Sequence, residues 1–145
     1  MTLQKLSFTA ILIGFVAFAG QAQVTGKWRT IDDATGKPRS VVEVFERGGQ
    51  IYGKIVHIFP RPGKDPDPVC NACDPSDNRY KLKVKGMEII RGMKKDGSEF
   101  AGGDILDPEN GKVYRCRLWL EGKELKVRGY LGPFFRTQTW ERYTD

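Results

Sequence analysis

Three cysteines and one histidine are the residues of this chain best suited to chemistry. Cys70 and Cys73 form a Cys-x-x-Cys pair in a proline-rich stretch, Cys116 stands alone further along, and His57 is the single histidine. Paired thiols can form a structural disulfide, bind zinc or act as a redox centre. The cysteines therefore leave three kinds of site to compare.

A local Cys70–Cys73 disulfide is the first choice among these. Redox pairs usually lie at a helix N-terminus in a βαβ unit, and no such unit is predicted here. A zinc site would need a second closely spaced ligand pair, which Cys116 and His57 do not form. A bond from either paired cysteine to Cys116 would stabilise more, about 4 rather than about 2 kcal/mol, because it closes a longer loop. Spacing alone leaves that pairing open, and we predict no metal and no cofactor.

The other candidate catalytic groups have structural explanations. His57 is predicted near the end of a strand beside Phe59, where a histidine is commonly packed or hydrogen-bonded. Asp104 and Asp107 could in principle pair as glycosidase carboxylates, but an Asp107-Pro108 step is typical of the first two positions of a turn. The chain also lacks the common nucleophile, phosphate-loop and zinc-protease motifs. We therefore predict no catalytic residues and no enzyme activity.

Short β segments separated by glycine-containing turns must position these residues. The predicted strands span 26–31, 40–46, 50–59, 87–93, 99–106, 112–120, 124–131 and 136–143. Tight turns such as Gly48-Gly49 and Asp96-Gly97 join most of them, and one long connection, 60–86, follows the third strand. Closure of such a meander removes its exposed edges. We predict an all-β, up-and-down antiparallel barrel of about eight strands.

Gly26-Lys27-Trp28 opens the first predicted strand. A Gly-x-Trp at this position resembles the start of lipocalin-type barrels, in which the tryptophan closes the barrel floor. Arg142 lies in the last predicted strand, so closure would bring its guanidinium to the Trp28 indole. Such a cation–π contact contributes about 1 kcal/mol or more when it is desolvated.

Side-chain alternation predicts which residues face the interior. In the sixth and seventh strands the apolar rows are the better inner faces; their members are Tyr114, Cys116, Leu118, Leu120, Leu125, Val127, Gly129 and Leu131. Three strand glycines, Gly53, Gly102 or Gly103, and Gly129, would either leave room for a ligand or permit bends and close backbone approach. Eight strands enclose just enough space for side chains or one small ligand.

The first 22 residues are predicted to be a signal peptide. Lys5 precedes an apolar stretch, and Gly20-Gln21-Ala22 offers the small residues of a cleavage site. The apolar run is too short for a membrane span, so we expect no stable membrane anchor after cleavage. Removal of Lys5 leaves 23 basic and 18 acidic residues, a net charge of +5, dispersed along predicted strands. We predict one domain, 23–145, that is periplasmic or secreted and binds no nucleic acid.

Several motifs along the whole mature chain resemble one bacterial exported family, domain of unknown function 2147. They are Gly26-Lys27-Trp28, Gly53-Lys54-Ile55, Cys70-Asn71-Ala72-Cys73, Gly86-Met87-Glu88-Ile89, the most specific run 102–114, Arg128-Gly129-Tyr130-Leu131-Gly132 and Arg136-Thr137-Gln138-Thr139-Trp140. The resemblance implies a calycin-like barrel related to lipocalins and fatty-acid-binding proteins. It implies no particular activity and no catalytic residues.

These observations predict an exported barrel that holds a small apolar or amphipathic molecule. The predicted ligand-binding residues are Trp28, Tyr114, Arg128, Tyr130, Phe134 and Phe135. An anionic head group is one option, because four arginines crowd into the last three strands: Arg115, Arg117, Arg128 and Arg136. Phe134, Phe135 and the long connection would border the mouth. The alternative is a structural or interaction protein of the cell envelope with a side-chain-filled barrel and an apolar patch around Phe134 and Phe135.

Overall fold

Alternating side chains and glycine turns produce eight β-strands in residues 23–145, the part of the chain that the computed structural model describes. The predicted signal peptide, 1–22, lies outside the described residues. The strands are β1 (Gly26–Ile31), β2 (Pro38–Arg47), β3 (Gln50–Ile58), β4 (Glu88–Asp96), β5 (Glu99–Asp107), β6 (Lys112–Glu121), β7 (Glu124–Leu131) and β8 (Phe134–Arg142).

Each strand pairs antiparallel with its neighbours in sequence, and β8 pairs with β1 to close the barrel. Trp28 lies opposite Arg142 in that closing pair. The prediction of an eight-stranded up-and-down barrel is confirmed. No helix in residues 23–145 has the length and apolarity needed to cross a bilayer.

The last strand starts earlier than the sequence predicts. Tyr130 pairs with Phe135 and Leu131 with Phe134, so the ladder between β7 and β8 continues to a two-residue turn at Gly132-Pro133. The predicted start at residue 136 was therefore too late. Phe134 and Phe135 belong to a hairpin tip and not to a loop.

The barrel core follows the predicted inner faces. Cys116 and Leu118 of β6 and Leu125 and Val127 of β7 are buried, whereas Leu131, at the end of β7, is 50 % exposed. The buried cluster also includes Trp28, Val42, Val44, Ile51, Ile55, Ile90, Met93, Leu106 and Trp140.

Two of the strand glycines permit close packing, because neighbouring atoms occupy the space that a Cβ atom would need. A Cβ atom on Gly103 would lie 2.1 Å from the backbone oxygen of Arg91 on β4. A Cβ atom on Gly53 would lie 3.0 Å from Cδ1 of Ile90. The idea that these glycines leave ligand space is wrong, since neighbouring atoms already fill it. Gly129 differs, because it lines the cavity described next.

Candidate ligand-binding site

One end of the barrel holds a cavity of about 460 Å³. Its walls come from the last residues of β1, β3, β5 and β7 and the first residues of β2, β6 and β8, which all meet at the same end of an up-and-down barrel. The inward side chains on the wall are Thr30, Ser40, Ile55, Ile105, Tyr114, Val127 and Gln138. The volume lies in the range of small-molecule sites, about 300 to 1,000 Å³.

The opposite end of the barrel is closed around Trp28. Its indole is fully buried and donates a hydrogen bond from Nε1 to the carbonyl of Val24 at 2.7 Å. The Arg142 guanidinium lies 3.8 Å from the centre of the Trp28 ring and donates to the carbonyls of Thr25 and Gln23. The segment before β1 is therefore tied across the floor, and the cavity has one open end.

Polar groups interrupt the apolar wall of the cavity. Thr30 and Ser40 are buried, and their hydroxyls lie 2.8 Å apart. Gln138 accepts a hydrogen bond from the indole of Trp140 and donates one to Asp33. The hydroxyls of Thr30 and Ser40 can turn to donate or accept. They therefore offer hydrogen bonds to a polar group of a ligand, and neither side chain is charged.

Ion pairs cross the mouth of the cavity. Arg39 lies 2.9 Å from Glu109 and 3.3 Å from Asp107, both in or beside the β5–β6 turn. Arg61, from the long connection, pairs with Glu109 and lies 3.7 Å from Asp32. Although burial opposes the effect, the Arg61 hydrogen bond and the Arg39 charge lower the pKa of Glu109. The mouth thus holds charged side chains of both signs, and Arg39 and Arg61 are already paired with Glu109.

The long connection, 59–87, lies over this end of the barrel and lines part of the cavity. Its Cys70 and Cys73 form a disulfide and are both buried, which confirms the predicted local pairing. The Cys70 sulfur lies 3.5 Å from the carbonyl of Pro108. A Cβ atom on Gly111, where φ is +72°, would lie 1.7 Å from the carbonyl of Ala72. The disulfide loop therefore docks directly on the β5–β6 turn.

A buried ion pair fixes the second half of the connection. Arg79 is 4 % exposed and donates to both carboxylate oxygens of Asp77, at 2.9 and 2.8 Å. It also donates to the carbonyl of Glu88, the first residue of β4, at 3.0 Å. The paired guanidinium holds the pKa of Asp77 at about 2. This pair joins the connection to the barrel wall.

The structure places most of the predicted ligand-binding residues outside the cavity. Tyr114 lines it, and its hydroxyl accepts a hydrogen bond from Asn110. Trp28 belongs to the closed floor. Arg128, Tyr130 and Phe135 lie on the outer face of β7 and β8, because Gly129 and Arg136 occupy the inward positions between them. Phe134 is 76 % exposed at the hairpin tip.

Only Arg136 among the four clustered arginines lines the cavity, where it pairs with Asp33. Arg117 donates outside the barrel to Glu99 and Asp96, and Arg115, on the same face of β6, is exposed. Strand alternation turns the other three arginines outward, so their crowding in the last strands does not support an anionic head group inside the barrel.

Sequence reasoning missed several cavity residues. Thr30 and Ser40 could have been found, because each lies two residues from an inward apolar side chain, Trp28 and Val42, along its strand. No comparable spacing predicts that Arg39 and Arg61 lie at the cavity. Their positions depend on where the β5–β6 turn and the long connection come to lie.

The residues considered for catalysis are spread apart. His57 is exposed and stacks edge-on against Phe59 at 4.7 Å. Asp107 accepts the backbone N–H of Glu109, as expected for a turn. Burial, followed by the charge of Asp104, raises the pKa of the Cys116 thiol to about 12, so this thiol stays protonated. Among residues 23–145 no group of three or more His, Cys, Asp or Glu side chains could hold a metal ion.

A closed eight-stranded meander with one open end and a cavity behind it defines a lipocalin-like barrel. The solved structure of HP1028 from Helicobacter pylori, described as belonging to the lipocalin family, has this fold: it superimposes with a TM-score of 0.70 at 22 % identity, over 85 % of this chain and 84 % of that one. The chain itself belongs to the family described as uncharacterized protein conserved in bacteria (DUF2147), whose model matches residues 26–142. No curated protein sequence matches it.

Proposed function

We propose that this protein is an exported binding protein that carries one small amphipathic molecule in its barrel. The observation that carries the proposal is the cavity of about 460 Å³ behind a floor sealed by Trp28 and Arg142. A barrel filled by side chains, the alternative predicted from sequence, would leave no such space. The lipocalin-like fold supports the same function, since such barrels commonly hold a ligand within the strands.

The lining favours an amphipathic ligand with its polar end toward the mouth. Ile55, Ile105 and Val127 would contact the apolar part. Arg136, beside Gln138, is the arginine of the last strands that could meet an anionic head group at the rim. Its pairing with Asp33 lowers the gain from such a contact, because the ligand would compete with a carboxylate already present.

Export rests on the predicted signal peptide and on the disulfide. Cys70–Cys73 is the kind of bond that persists in an oxidising compartment. Cleavage after Ala22 would keep Gln23, whose carbonyl accepts a hydrogen bond from Arg142 at the barrel floor. We expect the mature chain in the periplasm to begin at Gln23. A mass spectrum of the native protein that includes residues before Gln23 would contradict this.

Displacement of a fluorescent fatty acid, together with native mass spectrometry of protein from its own host, tests ligand binding. Val127→Phe would place a ring inside the cavity and should weaken probe binding by at least about tenfold, a loss of about 1.4 kcal/mol. Val113→Phe makes the same change on the exposed face of β6 and should leave binding unchanged. Absence of a bound probe, or equal affinities for the two variants, would refute the proposal.

A further inference from the structure

The large apolar side chains that residues 23–145 expose are concentrated at one point of the barrel. Six are exposed, and four of them share the tip formed by the β7–β8 turn and the start of β6: Val113 (42 %), Leu131 (50 %), Phe134 (76 %) and Phe135 (60 %). The register explains the cluster. Arg115 pairs with Tyr130, so Val113, two residues earlier on β6, lies beside Gly132. We call these four residues the apolar tip.

Cationic side chains flank the apolar tip on the outer face. The Arg128 guanidinium lies between two rings, 4.5 Å from the centre of Phe135 and 4.9 Å from that of Trp119. Its hydrogen bond goes to the hydroxyl of Thr137 and not to a carboxylate. Arg115 is exposed on the adjacent strand. Aromatic rings with arginines beside them are typical of surfaces that meet the interfacial region of a membrane.

The nearby acidic groups offset this charge only in part. Asp33 pairs with Arg136, which is a separate cation. Asp104 lies opposite Arg115 on β5 and offsets its charge in part, whereas Arg128 forms no ion pair with any of residues 23–145. The surface around the tip therefore keeps a positive charge that complements anionic head groups.

We propose that the apolar tip docks reversibly on an anionic phospholipid surface. Phe134, Phe135 and Leu131 enter the boundary between head groups and acyl chains, while Arg115 and Arg128 contact the phosphates. A narrow convex tip can insert into a lipid surface, because lipid molecules rearrange around it. It suits a protein partner less well, because four side chains at a turn bury far less than the roughly 800 Å² per partner of a stable interface.

Docking at this tip would bring the cavity mouth to the membrane. Gly129 and Arg136 line the cavity and lie one residue from Tyr130 and Phe135 along their strands. A molecule leaving the bilayer beside the tip would therefore meet the open end of the barrel. The docking itself requires no ligand, so it is measured separately from the proposed function.

Co-sedimentation of the mature chain with vesicles tests the inference. Vesicles of phosphatidylglycerol and phosphatidylethanolamine should bind the protein, vesicles of phosphatidylcholine should bind it weakly, and high salt should reduce binding. Phe134→Ser combined with Phe135→Ser should weaken binding by at least about tenfold, because each ring leaves water on insertion. Leu82→Ser, which changes an exposed apolar residue outside the tip (54 %), is the matched control.

Further measurements distinguish docking on anionic lipid from misfolding of the variants and from dimer formation. Arg115→Gln with Arg128→Gln should lower binding to anionic vesicles and leave the weak binding to neutral ones unchanged. The serine variants should keep the thermal midpoint and fatty-acid affinity of the parent protein, which would exclude misfolding as the cause. Equal vesicle binding by parent and serine variants would overturn the inference. So would a dimer that the serine variants abolish, in the absence of vesicle binding.

Discussion

Replacing Asp77 with asparagine tests whether the buried ion pair holds the long connection against the barrel. Arg79 is almost fully buried and reaches both Asp77 and the carbonyl of Glu88. Asparagine has the shape of a protonated aspartate but no charge. Asp77→Asn therefore leaves the Arg79 charge buried without a counter-ion, which is costly in a protein interior.

The shifted pKa of Asp77 sets the magnitude. It falls from its usual value of 3.8 to about 2, mainly because Arg79 donates hydrogen bonds to the carboxylate. A shift of this size corresponds to about 2 kcal/mol of stability. Since the folded-state pKa is the lower one, that stability is present above pH 3.8 and is lost as the pH falls toward 2. Asp77→Asn should remove the same amount at pH 7.

Urea unfolding of the disulfide-intact protein between pH 7 and pH 2 measures this difference. The free energy of unfolding of Asp77→Asn should lie about 2 kcal/mol below that of the parent at pH 7, and the gap should close near pH 2. Asp67→Asn is the control, because Asp67 and Lys83 form an exposed ion pair with 52 % and 65 % of their side chains accessible. Such pairs contribute at most about 1 kcal/mol.

Two results would refute the reasoning. A gap below about 0.5 kcal/mol at pH 7, within the range of ordinary surface substitutions, would mean that the pair does not fix the connection. A gap that stays constant from pH 7 to pH 2 would mean that the substituted side chain acts by its shape and not by loss of charge.

Two further substitutions test the barrel itself. Gly103→Ala should lower the free energy of unfolding by at least about 2 kcal/mol, because its Cβ would collide with the backbone of Arg91. Urea unfolding of this variant beside Gly129→Ala, whose nearest contact would be Cβ of Tyr114 at 3.2 Å, checks this. Arg142→Met should cost about 1 to 2 kcal/mol, through loss of the stacking on Trp28 and of two hydrogen bonds to backbone carbonyls. Calorimetry of that variant measures the loss.

Each of these substitutions has an outcome that contradicts its premise. If Gly103→Ala is as stable as Gly129→Ala, β4 and β5 do not approach as closely as described. If Arg142→Met unfolds at the temperature of Arg115→Met, a change at an exposed strand position, then Arg142 adds nothing to closure of the floor.

Strand positions and the inner faces of β6 and β7 could be predicted because they depend on local patterns. Because side chains alternate along a strand, Cys116 and Val127 can be assigned to the inner face without knowing which residues lie opposite them. Glycine turns of suitable length then leave few ways to connect eight strands. The start of β8 was misplaced because Pro133 and the two phenylalanines after it suggest a loop, and only pairing with β7 shows that the ladder continues.

The candidate site was predicted less well, since its residues meet through space and not along the chain. The sequence by itself determined the barrel and the presence of Trp28 and Arg142 on the strands that close it, and it favoured the local disulfide without fixing it. The tertiary structure alone decided that Gly103 leaves no room for a side chain, that Arg39 and Arg61 cross the mouth, and that Arg128 faces outward. The physical reason is that strand alternation fixes only which face a side chain takes. Whether that face meets a packed backbone, open space or another loop depends on contacts made by distant segments.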